Sequence, residues 1–139
     1  MNDLGLKTIT KLKVRFHECD PLQIVWHGNY LKYFEEGRED FSKKHEISYL
    51  DAKKHGFATP IVKSVCEHKL PLKYGDDFEV ETTFVNSEAA KMKFRYRIFS
   101  SGRLVCTGET VQVFTDKNSE LVLNNPQFFL DWKTKMGLI

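Results

Sequence analysis

The stretch VRFHECDPLQIVWHGNYLKYFEEGREDF, residues 14–41, decides how this chain folds. A β-type run ends at a carboxylate, Asp20, and a turn. Seven residues later, at His27, a helical pattern begins. From Asn29 onward Tyr30, Phe34, Gly37 and Phe41 recur at steps of four, three and four, which traces one face of a helix. Lys32, Glu35, Glu36, Glu39, Lys43 and Lys44 populate the opposite face, and Glu39–Lys43 and Asp40–Lys44 are i,i+4 pairs. Gly37 in the apolar stripe costs helix propensity, roughly 1 kcal/mol against alanine. Close approach to a sheet wrapped around the helix is the compensating gain expected.

Upstream, residues 7–17 alternate in part, with Ile9, Leu12, Val14 and Phe16 as apolar members, and read as a strand. Downstream, Ser48 to Asp51 resembles a capping box, with Gly56 ending a short second helix. Four more strands are expected at about 60–70, 77–86, 91–99 and 104–115. Phe78, Val80, Thr82 and Phe84 alternate with Asp77, Glu79, Glu81 and Thr83; Met92, Phe94, Tyr96 and Ile98 alternate with Lys91, Lys93, Arg95 and Arg97. A hairpin loop over 86–90 sets Glu81 against Arg95 and Glu79 against Arg97. Ser101-Gly102 turns the chain into the last strand. Asn125 is expected to cap a terminal helix with Pro126 at its first position and Phe128, Phe129, Trp132 and Met136 as its stripe. The expectation is an α+β domain in which one face of a five-stranded antiparallel sheet is buried on a long helix.

Composition narrows the classes. At 139 residues, with no linker, repeat or low-complexity tract, the chain reads as one domain. A net charge of +2 is too mild to imply nucleic acid. No apolar run approaches a membrane span and no signal-peptide pattern opens the chain. Three scattered cysteines, Cys19, Cys66 and Cys106, argue against a disulfide framework and for a reducing cytoplasm.

The chemistry gathers around Asp20 and His27. A carboxylate beside the first turn of a helix meets free N–H groups and a positive dipole end, which attract developing negative charge. Taken alone, Asp20 before proline is also common turn chemistry, and His27 a polar residue at a helix end. His17, Cys19, Asp20 and His27 match no zinc spacing, and Cys19 has no nucleophile motif around it.

The run Asp20 to Tyr30 resembles the hotdog-fold acyl-CoA thioesterases of the 4-hydroxybenzoyl-CoA thioesterase family. Ala58-Thr59-Pro60-Ile61-Val62, Tyr74-Gly75-Asp76-Asp77 and Val111-Gln112-Val113-Phe114 extend the likeness in the right order. The resemblance implies a curved sheet around a central helix and a homodimer joined edge to edge, often paired into a tetramer, with active sites at the interface. It implies an acyl-CoA substrate, a hydrolytic reaction and no cofactor beyond the coenzyme A of the substrate. It puts Asp20 on the catalytic carboxylate, as nucleophile or general base, and the N–H of His27 on the thioester carbonyl. Trp26 walls the acyl pocket, and Thr59 and Pro60 line it from the partner subunit. Lys91 is the one cation of its strand kept as a coenzyme A phosphate contact; Lys93, Arg95 and Arg97 read as a solvated charge ladder. Gln23 stands where many members carry glycine, which leaves the shape of the turn after Asp20 open. The alternatives are a thioesterase acting on acyl carrier protein and a non-catalytic acyl-CoA sensor.

Overall fold

A computed structural model describes residues 5–139. Strand β1 (Lys7–Lys13) leads through a 3-10 turn (Phe16–Glu18) and a short hairpin into helix α1 (Asn29–Lys44). Helix α2 (Tyr49–Lys54) follows, then strands β2 (Ile61–His68), β3 (Asp77–Val85), β4 (Lys91–Ser100), β5 (Arg103–Thr115) and β6 (Leu121–Val122), and helix α3 (Gln127–Lys135). The strands form one antiparallel sheet in the order β1-β3-β4-β5-β2, with the two-residue β6 added on β5. This is the α+β plan read from the sequence, with one short strand more than expected.

Helix α1 lies on the sheet through the stripe read from its periodicity: Tyr30, Phe34 and Phe41 are at most 3% exposed. Gly37 explains the close approach. A Cβ there would stand 2.4 Å from Thr82 Oγ1 and 2.8 Å from a Val80 methyl, so only glycine lets the helix sit this near β3. Gly108 on β5 does the same for the Phe34 ring, which stacks on Tyr96 at 4.5 Å between centroids. The Glu39–Lys43 and Asp40–Lys44 pairs close at 3.0 and 3.2 Å on the outer face. Ser48 and Asp51 cap α2 reciprocally, and Gly56 follows at φ +86°. Ser101 and Gly102 both have positive φ, 51° and 76°, as a two-residue hairpin turn of mirror-image type requires.

Three expectations need correction. The first strand stops at Lys13, and its helix-facing row is Thr8, Thr10, Leu12 and then Val14. Ile9 faces outward at 51% exposure, and Phe16 turns to the surface against Tyr74. In the β3–β4 hairpin Glu81 is opposite Arg97, Glu79 opposite Phe99 and Thr83 opposite Arg95. The register differs by two because the last β3–β4 pair is Val85–Lys93, so seven residues close the loop rather than five. The charge ladder itself stands: Arg97 meets Glu81 at 2.7 Å, and Lys93 and Lys63 meet Glu109 at 3.4 and 3.8 Å. Finally, Pro126 occupies the cap position of α3, while Asn125 donates to the Glu88 carbonyl. Among the described residues, no helix is long and apolar enough to cross a membrane.

Candidate active site

The hairpin carrying Asp20 is built by its own residues. Asp20 N–H donates to the Ile24 carbonyl (2.9 Å), Gln23 N–H to the Asp20 carbonyl (2.8 Å), and Leu22 N–H to Asp20 Oδ1 (2.8 Å). Pro21 fits the position after Asp20, and the turn ends on Gln23 at φ +67°. The backbone therefore adopts the left-handed conformation that glycine reaches most easily, and glutamine holds it under strain. One Asp20 carboxylate oxygen is committed to the turn.

The hairpin is clamped to the start of α1 through Glu18. Its carbonyl accepts from Trp26 N–H (2.9 Å) and from Asn29 Nδ2 (2.8 Å), while its carboxylate accepts from the Tyr33 hydroxyl (2.9 Å) and Arg15 N–H (2.8 Å). Burial, then the bond to Glu18, pushes the Tyr33 hydroxyl pKa up. Burial also raises Tyr30, to about 12. Desolvation, then Glu18 and Asp20, pushes the Cys19 thiol pKa up, which disfavours the thiolate that a nucleophile needs.

At the helix start the amides of His27 and Gly28 donate to no group among the described residues, whereas Val25, Trp26, Asn29 and Tyr30 N–H are all bonded. Two free donors therefore sit at the positive end of a 16-residue helix. The Trp26 ring lies against Gly28, where a Cβ would stand 2.1 Å from it, so a side chain at 28 would displace the indole. Trp26 and His27 rings are 5.0 Å apart. His68, the last residue of β2, closes the group at 6.5 Å from His27 and 4.9 Å from Tyr30.

Trp26 and His27 thus come together, and the Asp20 hairpin is tied to the same helix start through Glu18, but the other expected residues do not join them. Thr59 and Pro60 precede β2, whose far end carries His68; the eight-residue strand sets them roughly 25 Å apart. Lys91 opens β4 beside Val113, on the same distant side. There a cavity of about 610 Å³ is lined in part by Ala52, Thr59, Ile61, Met92 and Gln112. The Gln112 amide donates to the Thr59 carbonyl at 2.7 Å. Sequence reasoning missed Glu18, Asn29, Tyr33 and His68. Asn29, polar at the first helical position, carried a signal; His68 carried none. Among the described residues no three His, Cys, Asp or Glu side chains converge as a metal site.

A curved sheet around one helix, with a carboxylate turn packed on that helix's free N-terminus, defines a thioesterase-type hotdog domain. Residues 14–133 match the Thioesterase-like superfamily, and the chain belongs to that family. It is similar to YneP of Bacillus subtilis, whose name proposes it as an acyl-CoA thioesterase: 31% identity over 125 residues, 89% of this chain and 91% of that one. Among solved structures, a DHNA-CoA thioesterase from Staphylococcus aureus superposes with TM-score 0.84 at 25% identity, over 94% of this chain and 91% of its own. The 4-hydroxybenzoyl-CoA thioesterase of Pseudomonas sp. strain CBS-3 shares the fold, with TM-score 0.78 and 20% identity over 91% of this chain and 98% of its own.

Proposed function

We propose that this protein is an acyl-CoA thioester hydrolase, working as a single domain in the cytoplasm and needing no metal or organic cofactor. The observation that carries the reading is the pair of unbonded amides at His27 and Gly28 beside the Asp20 turn. The thioester oxygen accepts from the His27 N–H. Asp20 either attacks the carbonyl carbon, forming a mixed anhydride that water then opens, or takes a proton from the attacking water. The oxyanion that forms is held by fixed donors rather than reorganising water. The C–S bond then breaks and the thiolate leaves, needing no strong acid.

The same reading assigns the distant residues to a second copy. Among the described residues strand β2 is an edge of the sheet, with Ile61, Val62 and Val65 exposed at 40%, 60% and 38%, an apolar edge that invites pairing. Two antiparallel β2 strands would lay Thr59, Pro60 and the cavity behind them next to the partner's His27 and Trp26, with Lys91 on that side for the coenzyme A phosphates. The acyl group then enters a pocket built by both copies. The sign of a dimer and the sign of activity should appear together.

Assay of acetyl-, hexanoyl-, palmitoyl- and benzoyl-CoA, each paired with the matching acyl carrier protein thioester, tests the reading. Hydrolysis of an acyl-CoA in preference to its carrier-protein counterpart supports it. Hydrolysis of carrier-protein thioesters alone moves the assignment to the other carrier. Tight binding without turnover of any of them makes the protein a sensor.

A further inference from the structure

His68 is absent from the residues that the hydrolase reading uses, yet it stands beside them. It is exposed, ends β2 and faces α1 on the same row as Cys66. Its ring is edge-on to Tyr30 (78°) and to His27 (86°), so Tyr30 props it from behind and His27 stands across a gap of 6.5 Å between centroids. On its other side Nδ1 lies 4.0 Å from Cys66 Sγ. Burial is the main cause that pushes the Cys66 thiol pKa up, and it does the same for Cys106 on neighbouring β5. With the Cys66 thiol as donor to Nδ1, the neutral imidazole carries its proton on Nε2, the tautomer the proposal below uses.

We propose that His68 is a catalytic residue of this site, its Nε2–H donating to the thioester oxygen alongside the His27 N–H to complete a two-donor oxyanion hole. The proposal rests on the hydrolase reading above. When the nucleophile adds to the carbonyl carbon, the C=O electron pair moves onto oxygen and the two donors hold it. The pair returns as the C–S bond breaks and the thiolate departs. Cys66 is then a positioning residue, acting only through the imidazole.

The test compares His68→Ala, His68→Gln and His68→Asn with wild type and with Asp20→Asn, using whichever of acetyl-, hexanoyl-, palmitoyl- and benzoyl-CoA the wild type turns over fastest. Removing one oxyanion donor costs roughly 10²–10³-fold in kcat. His68→Ala should lose that much kcat with KM little changed and the melting temperature intact. Glutamine, whose amide nitrogen reaches the place of Nε2, should recover most of the loss, and asparagine, which matches Nδ1, should not. Equal recovery by both amides, a change in KM alone, or wild-type kcat in His68→Ala would overturn the proposal. If Asp20→Asn is inactive while His68→Ala is not, only this assignment falls. If Asp20→Asn also keeps full activity, or the wild type hydrolyses none of the four acyl-CoA thioesters, the hydrolase reading falls and takes the proposal with it.

Discussion

The Tyr33 hydroxyl donates to the Glu18 carboxylate at 2.9 Å, and this bond links the core face of α1 to the loop that carries Asp20. Tyr33 is buried at 2% exposure, so its hydroxyl has no water to turn to if Glu18 moves. Glu18 in turn holds Trp26 and Asn29 through its carbonyl. The position of the carboxylate relative to the free amides therefore depends on a residue that touches neither.

Tyr33→Phe should cost about 1.5–3 kcal/mol in stability, the range for a hydrogen bond to a charged group. It should also lower kcat, because the Asp20 hairpin loses one of its two anchors on the helix. Thermal unfolding and turnover measured on the same preparation check this. A lower melting temperature with unchanged kcat would mean that the clamp is structural only.

Gln23→Gly should stabilise the protein. A non-glycine residue at φ +67° bears a cost of roughly 1–2 kcal/mol, partly offset by the entropy glycine gains in the unfolded chain, so the net gain is about 0.5–1 kcal/mol. The melting temperature should rise by a few degrees with activity retained. A fall would mean that the glutamine side chain supports the turn in a way its backbone angles do not reveal.

The β2 edge makes a third prediction. The wild-type protein should run at the mass of at least a dimer in light scattering at micromolar concentration. Val62→Lys combined with Val65→Lys, charges of the kind that protect natural edges, should shift it toward monomer and cut turnover at least tenfold. A monomeric double variant with full activity would show that each copy holds a complete site.

Much of this could be read from residues alone. Helix α1 was legible because its apolar stripe keeps one period over about three turns from Tyr30 to Phe41, and β3 and β4 because apolar residues fill nearly every second position. The register between those strands was not legible. It depends on where the 86–92 loop closes, and Asn86 is tied to the Leu138 carbonyl and Asn125 to that of Glu88, both long-range contacts. Phe16 misled because an apolar residue continuing an alternation is usually inward; here the 3-10 turn carries it out to Tyr74. Asp20 and His27 stood out through the resemblance and through their place before a helix. His68 did not, since only the pairing of β2 with β5 and the wrap of the sheet bring it to His27.

The central claim is that the Asp20 carboxylate drives thioester hydrolysis, and Asp20→Asn tests it most directly. The substitution keeps the size of the side chain and the oxygen that accepts from Leu22 N–H, and removes the charge needed for attack or proton abstraction. Measured on the best acyl-CoA substrate, kcat should fall by at least roughly 10²-fold, the low end for a lost acid–base group, while KM and the melting temperature stay near wild type. Turnover by Asp20→Asn within a few-fold of wild type would contradict the account.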